Sequence, residues 1–111
     1  MARIKMMRGD SYIVFVNLTQ QGYPLTSDMV TDVEICVGEN LRKTYSAGEV
    51  GYDTLRSMWY FRPSQSETLA LDEGTYEVIV RVKYSPVQDA DVKGISVGRI
   101  TMVNTHSQEV I

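Results

Sequence analysis

The fold class of this chain is decided by one stretch, Thr75-Tyr76-Glu77-Val78-Ile79-Val80-Arg81-Val82-Lys83-Tyr84. Apolar and polar side chains alternate along it, with Ile79 as the single exception. Successive side chains of a strand point to opposite faces, so this alternation gives one apolar face and one wet face. The stretch therefore predicts a half-buried antiparallel strand, since antiparallel sheets commonly have one solvated side.

Other segments repeat this period of two. The alternation in residues 32–37 points Val33, Ile35 and Val37 towards a core. Residues 12–18 and 55–62 are apolar on both faces, and we expect the strand at 12–18 to be central or covered on both sides. Further strands are predicted at residues 3–7, 42–46 and 95–103.

Turn-forming residues separate these segments. Residues 46–53 contain two glycines and are expected to form a flexible connection, and residues 85–94 a longer loop. The Ser64-Gln65-Ser66-Glu67 segment has the spacing of a capping box, which predicts one helical turn. Seven short strands with turns between them predict a single immunoglobulin-like antiparallel β-sandwich domain over residues 1–111.

The composition fits one globular domain and argues against several classes of partner. The 111 residues are 43% hydrophobic and 23% charged, which allows a core without metal or disulfide support. The formal net charge of −3 gives no basic stripe for nucleic acid. The N-terminal residues have no apolar core of a signal peptide, and no run approaches the length of a membrane span. We therefore expect a protein that is cytoplasmic when synthesised, with no nucleic-acid or membrane partner.

Residues that could carry chemistry are few and scattered. Cys36 is the single cysteine, and its place in a predicted strand indicates an ordinary thiol rather than a nucleophile. His106 is the single histidine and has no second ligand at zinc spacing. Asp89 and Asp91 could touch Ca²⁺, but a short Asp-x-Asp lacks further oxygens, which favours a solvated loop. The sequence predicts a protein that is not an enzyme, with no catalytic, cofactor or metal site.

The segment from Leu71 to Tyr76 carries the most informative local pattern. In Greek-key sandwiches a tyrosine at the start of the penultimate strand turns its hydroxyl onto the backbone of the preceding corner. Gly74 supplies backbone freedom at such a corner. We interpret Leu71, Gly74 and Tyr76 as a structural corner; a plain turn followed by a strand tyrosine is the alternative.

Four large side chains stand in a row at Met58, Trp59, Tyr60 and Phe61. They must point to both faces of a sheet, whereas a sandwich core receives one face of each sheet. The outward pair is either covered by a loop or left for a partner. Because residues 12–18 are apolar on both faces as well, we interpret both segments as a protein interface. The candidate residues are Met58, Trp59, Tyr60, Phe61, Tyr12, Val14 and Val16. The sequence does not decide which face of the strand from Met58 to Phe61 is buried.

Several short motifs resemble the N-terminal domain of phage baseplate upper proteins, a small immunoglobulin-like module of tail structures. The motifs are Gly9-Asp10-Ser11, Gly22-Tyr23-Pro24-Leu25, Leu71-x-x-Gly74-x-Tyr76 and Ile95-Ser96-Val97-Gly98-Arg99-Ile100. The resemblance implies a structural role in a phage or prophage particle, with self-association and docking to other tail proteins. It also implies that the protein is part of the virion once assembled.

Two classes of function follow from these observations. The first is a non-enzymatic structural module of a phage or prophage particle, which acts through protein–protein contacts and forms a homo-oligomer. The second is a β-sandwich that binds a carbohydrate or a cell-surface ligand through its end loops. For that second function the candidate residues are Tyr23, Tyr52, Asp89 and Asp91.

Overall fold

A computed structural model describes residues 2–111, and the part of the chain that it describes is mostly strand. The strands are β1 (Ala2–Met7), β2 (Val14–Val16), β3 (Thr19–Gln20), β4 (Tyr23–Pro24), β5 (Asp32–Val37), β6 (Leu41–Thr44), β7 (Val50–Asp53), β8 (Met58–Phe61), β9 (Gly74–Lys83) and β10 (Val92–Val103). A 3-10 turn spans Ser27–Met29, and the helix α1 spans Gln65–Leu69. The helix begins at a complete capping box between Ser64 and Glu67, as the sequence predicts.

Eight of these strands form two sheets. The larger has the order β1-β10-β9-β5-β6, and the smaller has the order β2-β8-β7. The remaining two strands, β3 and β4, form a short hairpin of their own. All pairings are antiparallel except that of β1 with β10, which is parallel. The described residues therefore form an all-β sandwich, whose larger sheet is mixed.

The long strand β9 lies in the middle of the larger sheet and explains its stability. It pairs with β10 over almost its whole length and with β5 from Asp32 to Val37. Its inward side chains Val78, Val80 and Val82 are buried, as the alternation predicts. Branched aliphatic side chains suit such a surface because their restricted rotamers pack well against strand neighbours.

The core lies between the two sheets and is a single cluster of buried residues. Trp59 of β8 is at its centre with no exposed surface. Its indole N–H donates to the carbonyl of Leu25 at 2.8 Å, so the buried donor is satisfied. The rings of Tyr45 and Tyr52 lie 5.2 and 5.1 Å from the Trp59 ring. Trp59 thus contacts the loop before β5 through Leu25, the turn after β6 through Tyr45, and the neighbouring strand β7 through Tyr52.

The predicted tyrosine corner is present at the start of β9. The hydroxyl of Tyr76 donates to the backbone carbonyl of Asp72 at 2.8 Å, and Leu71 is buried beneath the corner. The Tyr76 ring also lies against Gly38, where a Cβ atom would come within 2.7 Å of the ring. Gly38 has a φ of +58°, so both its conformation and this close approach favour glycine.

Most of the predicted strands are found, with changes at their ends. The strand at residues 32–37 has the predicted bounds, and the weaker patterns at 3–7 and 42–46 correspond to β1 and β6. The two main sheets contain eight strands, close to the predicted number of about seven. The expectation of purely antiparallel pairing needs correction, because the β1–β10 pair is parallel. The first strand, β1, forms an edge of the larger sheet beside the last strand, β10, and the two run in the same direction.

Two local predictions were wrong. Residues 46–53 are not a flexible connection throughout, because β7 occupies their second half and pairs with β8. The strand at residues 12–18 is neither central nor covered on both sides: β2 is an edge strand of the smaller sheet, and Phe15 on its outer side is 36% exposed. Side-chain alternation reports how many faces are apolar, and it cannot distinguish burial from an exposed apolar surface.

The corner hydrogen bond can be tested by replacing Tyr76 with phenylalanine. The substitution keeps the ring against Gly38 and removes the donor to Asp72. We expect a loss of about 0.5–1.5 kcal/mol in the free energy of unfolding, the usual net contribution of one hydrogen bond. Urea denaturation measures it, and Tyr84→Phe, at the far end of the β9 segment, is the control. If Tyr76→Phe and Tyr84→Phe lowered the free energy of unfolding equally, the corner hydrogen bond of the Tyr76 hydroxyl would make no specific contribution to stability.

Candidate functional site

The outer faces of the two sheets differ in chemistry. On the larger sheet, the Glu34 carboxylate accepts a hydrogen bond from Arg42 and lies 3.4 Å from a guanidinium nitrogen of Arg81. Ser96 donates to Glu77 at 3.1 Å on the same face. This outer face is polar and carries its own ion pairs, which is typical of a solvated surface.

The outer face of the smaller sheet is apolar. Because Trp59 and Phe61 point inward, their neighbours Met58 and Tyr60 point outward and are half-buried. Phe15 projects outward from β2, and Ile13, just before that strand, is 40% exposed. We name Ile13, Phe15, Gly51, Met58 and Tyr60 the aromatic face.

Tyr60 is held in the middle of this face by its two neighbouring strands. It lies opposite Phe15 on one side and opposite Gly51 on the other. The Phe15 and Tyr60 rings are 6.1 Å apart and tilted by 58°, within the range of favourable aromatic pairs. A Cβ atom at Gly51 would come within 2.2 Å of the Tyr60 ring, so the ring lies directly on the Gly51 backbone. A side chain at position 51 would displace the tip of the Tyr60 ring, so glycine is what lets the ring lie across the β7 backbone.

A tight turn between β7 and β8 borders the aromatic face. The Asp53 carboxylate accepts hydrogen bonds from the backbone N–H groups of Leu55 and Arg56 and from the Arg56 guanidinium. The bond from the Arg56 side chain, followed by that from its backbone, lowers the pKa of Asp53. Arg56 in turn lies 5.0 Å from the centre of the Phe15 ring, which is within cation–π distance. Leu55, at the tip of the turn, is 95% exposed.

The structure divides the predicted interface residues into two groups. Val14, Val16, Trp59 and Phe61 are at most 5% exposed and belong to the core, so their prediction as interface residues was wrong. The inner side of each sheet is covered by the other sheet, so these four side chains have no surface left for a partner. Met58, Tyr60 and Tyr12 keep exposed or half-exposed side chains. Tyr12 donates to the Lys5 carbonyl at 3.3 Å, and partial burial followed by the Asp10 charge raises its pKa.

Four residues of this surface were not named as candidates from the sequence. Ile13 and Phe15 lie in the segment 12–18 that was interpreted as an interface, Gly51 lies in the predicted flexible connection, and Arg56 borders the face from the β7–β8 turn. The Asp53-Thr54-Leu55-Arg56 segment did contain a usable signal, because aspartate often accepts backbone N–H groups two and three residues on. No comparable signal pairs Gly51 with Tyr60, since their register depends on where β7 begins.

A groove runs along the free edge of β2, beside the aromatic face. It is a cavity of about 290 Å³ between β2 and the β1–β10 edge of the larger sheet. The side chains of Ile4 and Val97 point towards the inside of the sandwich at this groove. They are only half-buried, because the smaller sheet ends at β2 and does not cover them. Phe15 borders both this groove and the depression next to the Asp53–Arg56 turn. The edge of β2 and the aromatic face thus form one continuous surface.

The residues that were considered as nucleophiles or metal ligands lie apart from this surface. Cys36 lies on β5, where burial, followed by the nearby Glu34 charge, raises the pKa of its thiol. His106 is exposed in the segment after β10. Among the described residues, no three histidine, cysteine or acidic side chains are grouped so as to hold a metal ion. No helix in residues 2–111 is long and apolar enough to cross a membrane.

The residues considered for ligand binding are only partly brought together. The loop before β5 and the loop after β9 leave one end of the larger sheet, where Thr31 donates to the Lys83 carbonyl at 2.7 Å. Tyr23, 75% exposed, lies in β4 of the short β3–β4 hairpin that precedes the first loop, and Asp89 and Asp91 are exposed in the second. Tyr52 is not a loop residue, because it lies in β7 and packs against Trp59.

The sequence matches no protein-family model, and no curated protein shows significant similarity to it.

The packing of Tyr60 on Gly51 gives a direct test of the aromatic face. We expect Gly51→Ala to displace the Tyr60 ring and to lower the free energy of unfolding by about 1–3 kcal/mol, as overpacking does. Near-ultraviolet circular dichroism and urea denaturation measure the two effects. Gly94→Ala is the matched control, since a Cβ there has no neighbour within 4 Å. Equal stability of the two variants would contradict the described contact.

Proposed function

We propose that this chain is a non-enzymatic assembly module that binds other proteins, including a second copy of itself, through the aromatic face. The observation that carries the proposal is the contrast between the two sheets. The larger sheet presents ion pairs to solvent, whereas the smaller presents Phe15, Tyr60 and Ile13. Aromatic residues within an apolar patch are the side chains most enriched at binding hot spots.

The shape of the aromatic face supports protein contact. Tyr60 is fixed by Phe15 and Gly51, and Arg56 is fixed by Asp53. Side chains that are already ordered lose little conformational freedom when a partner binds, which favours affinity. The uncharged edge of β2 adds backbone groups that an extended segment of a partner could pair with.

The biological setting that we propose is a phage or prophage particle, with tail or baseplate proteins as further partners. This part of the proposal rests on the resemblance of the quoted motifs to the baseplate module. The tyrosine corner and the two-sheet sandwich are compatible with it. In that setting the protein would be cytoplasmic when synthesised and would belong to the virion after assembly.

A carbohydrate- or cell-surface-ligand-binding module is the second candidate. The observation that favours it is Tyr23, which is 75% exposed on the β3–β4 hairpin. An exposed tyrosine ring offers a ligand both an apolar face and a polar tip. Loss of glycan binding on Tyr23→Ala, with self-association unchanged, would support this candidate.

Self-association is tested by light scattering at about 50 µM, a concentration suited to micromolar affinities. We expect the wild-type protein to form a dimer or a larger oligomer. Met58→Ser combined with Tyr60→Ser should leave a folded monomer, because both side chains point outward. Trp59→Ser combined with Phe61→Ser should unfold the domain, because both are buried in the core.

A single substitution on each sheet provides the matched control. Phe15 and Ile79 are 36% and 38% exposed on the outer faces of the smaller and larger sheets, respectively. Phe15→Ser should weaken self-association, and Ile79→Ser should leave it unchanged. A monomeric wild type, or an equal effect of the two substitutions, would count against the aromatic face as the interface.

A further inference from the structure

An unusual pair of like charges lies at the β1 edge of the larger sheet, on its outer face. The parallel register of β1 and β10 places Arg3 directly opposite Arg99, and both side chains are exposed. Lys5, the next outward residue of β1, lies opposite Thr101. Like charges directly opposite each other on a sheet are destabilising unless an anion lies between them.

The other arginines of this sheet have carboxylate partners. Arg42 and Arg81 both pair with Glu34. Within residues 2–111, by contrast, neither Arg3 nor Arg99 forms an ion pair or a side-chain hydrogen bond. Glu77 lies opposite Arg99 on β9, yet its carboxylate accepts the Ser96 hydroxyl. Glu77 offsets part of the positive charge of Arg99 across the strand pair, but within the described residues no carboxylate forms an ion pair with either arginine.

Two threonines line the same depression as Arg3 and Arg99. Thr101 of β10 is opposite Thr75 of β9, and their Oγ1 atoms are 3.1 Å apart. When one hydroxyl donates to the other, the accepting group keeps its own hydrogen free for a third partner. Arg3, Thr75, Arg99 and Thr101 together line one shallow depression. The depression thus combines two guanidinium groups with a free hydroxyl donor.

We propose that this depression, the Arg3–Arg99 site, binds a tetrahedral oxyanion, namely a phosphate or sulfate group. The guanidinium groups offer paired N–H donors that fit oxyanion oxygens, and the threonine hydroxyl supplies a further donor. Binding would neutralise the charge repulsion across the β1–β10 pair. The site lies on the larger sheet and contains no residue of the aromatic face, although Arg99 also lines the groove beside β2. The same donors would recognise a free anion or a phosphate group carried on a larger molecule.

The test is a titration followed by the backbone amide signals of Thr75, Arg99 and Thr101. Potassium phosphate is added at constant ionic strength, with potassium chloride as the balancing salt. We expect saturable shifts with half-saturation in the millimolar range, since the site is exposed. Sulfate should give the same shifts, and acetate should give much weaker ones. Shifts of equal size with chloride alone, or tighter binding of acetate than of phosphate, would refute the proposal.

Single variants assign the shifts to the site. Arg3→Gln and Arg99→Gln should each raise the half-saturating phosphate concentration about tenfold, because each removes charge-assisted hydrogen bonds. Arg62→Gln and Lys93→Gln are the controls, since both residues are exposed cations outside the depression. The amide spectra of all four variants report whether the fold is retained. Unchanged phosphate binding in folded Arg3→Gln and Arg99→Gln, or equal losses in the controls, would overturn the assignment.

A phosphomonoester distinguishes the source of the anion. Glycerol phosphate, titrated in the same way, presents one phosphate group with an organic substituent. Half-saturation similar to that of inorganic phosphate would show that the depression accepts a phosphate carried on a larger molecule. Binding of inorganic phosphate alone would support a site for the free anion.

Discussion

The inward orientation of Trp59 is the constraint on which the rest of the molecule depends. Its ring fills the space between the sheets, and its N–H is satisfied by the Leu25 carbonyl. A rotation of β8 by one residue would place the indole in solvent and leave a buried carbonyl unpaired, so the register of this strand is strongly fixed. Once Trp59 points inward, Met58 and Tyr60 must point outward. The largest buried side chain of the protein thus determines which residues form its apolar outer face.

The fold could be predicted from the sequence because its signals are local. The alternation in residues 75–84 gave the central strand, and the Ser64–Glu67 spacing gave the helix and its cap. The Leu71–Tyr76 pattern gave the corner hydrogen bond because all its members lie within six residues. Such features depend on nearest neighbours along the chain, and a single sequence contains them in full.

The candidate site was predicted only in part because it depends on pairing between distant segments. The row from Met58 to Phe61 showed that one pair of large side chains faces away from the core, but not which pair. That choice depends on the Trp59 contact with Leu25, 34 residues earlier in the chain. The role of Gly51 depends likewise on its register with Tyr60. Val14 and Val16 were misassigned because a strand that is apolar on both sides shows no difference between its faces until its neighbours are known.

The distribution of charge over the sheet edges explains why association would be confined to one side of the molecule. The edge strands β1 and β6 of the larger sheet carry Arg3 and Lys5, and Arg42 and Lys43, respectively. Charged side chains on an edge discourage pairing with another chain, because like charges would meet across the new strand pair. The β2 edge has no such protection, since residues 11–27 contain no charged side chain.

The open groove beside β2 restricts the kind of contact that this unprotected edge can make. A larger sheet of five strands faces a smaller sheet of three, and half-buried Ile4 and Val97 mark the place where the smaller sheet stops. An extended segment laid along β2 would cover these side chains and continue the smaller sheet by one strand. A whole second sandwich at that edge would have to fit around β1, which borders the same groove. The edge therefore suits a single strand from a partner, whereas the aromatic face, which is open on its outer side, suits the broader surface of a folded domain.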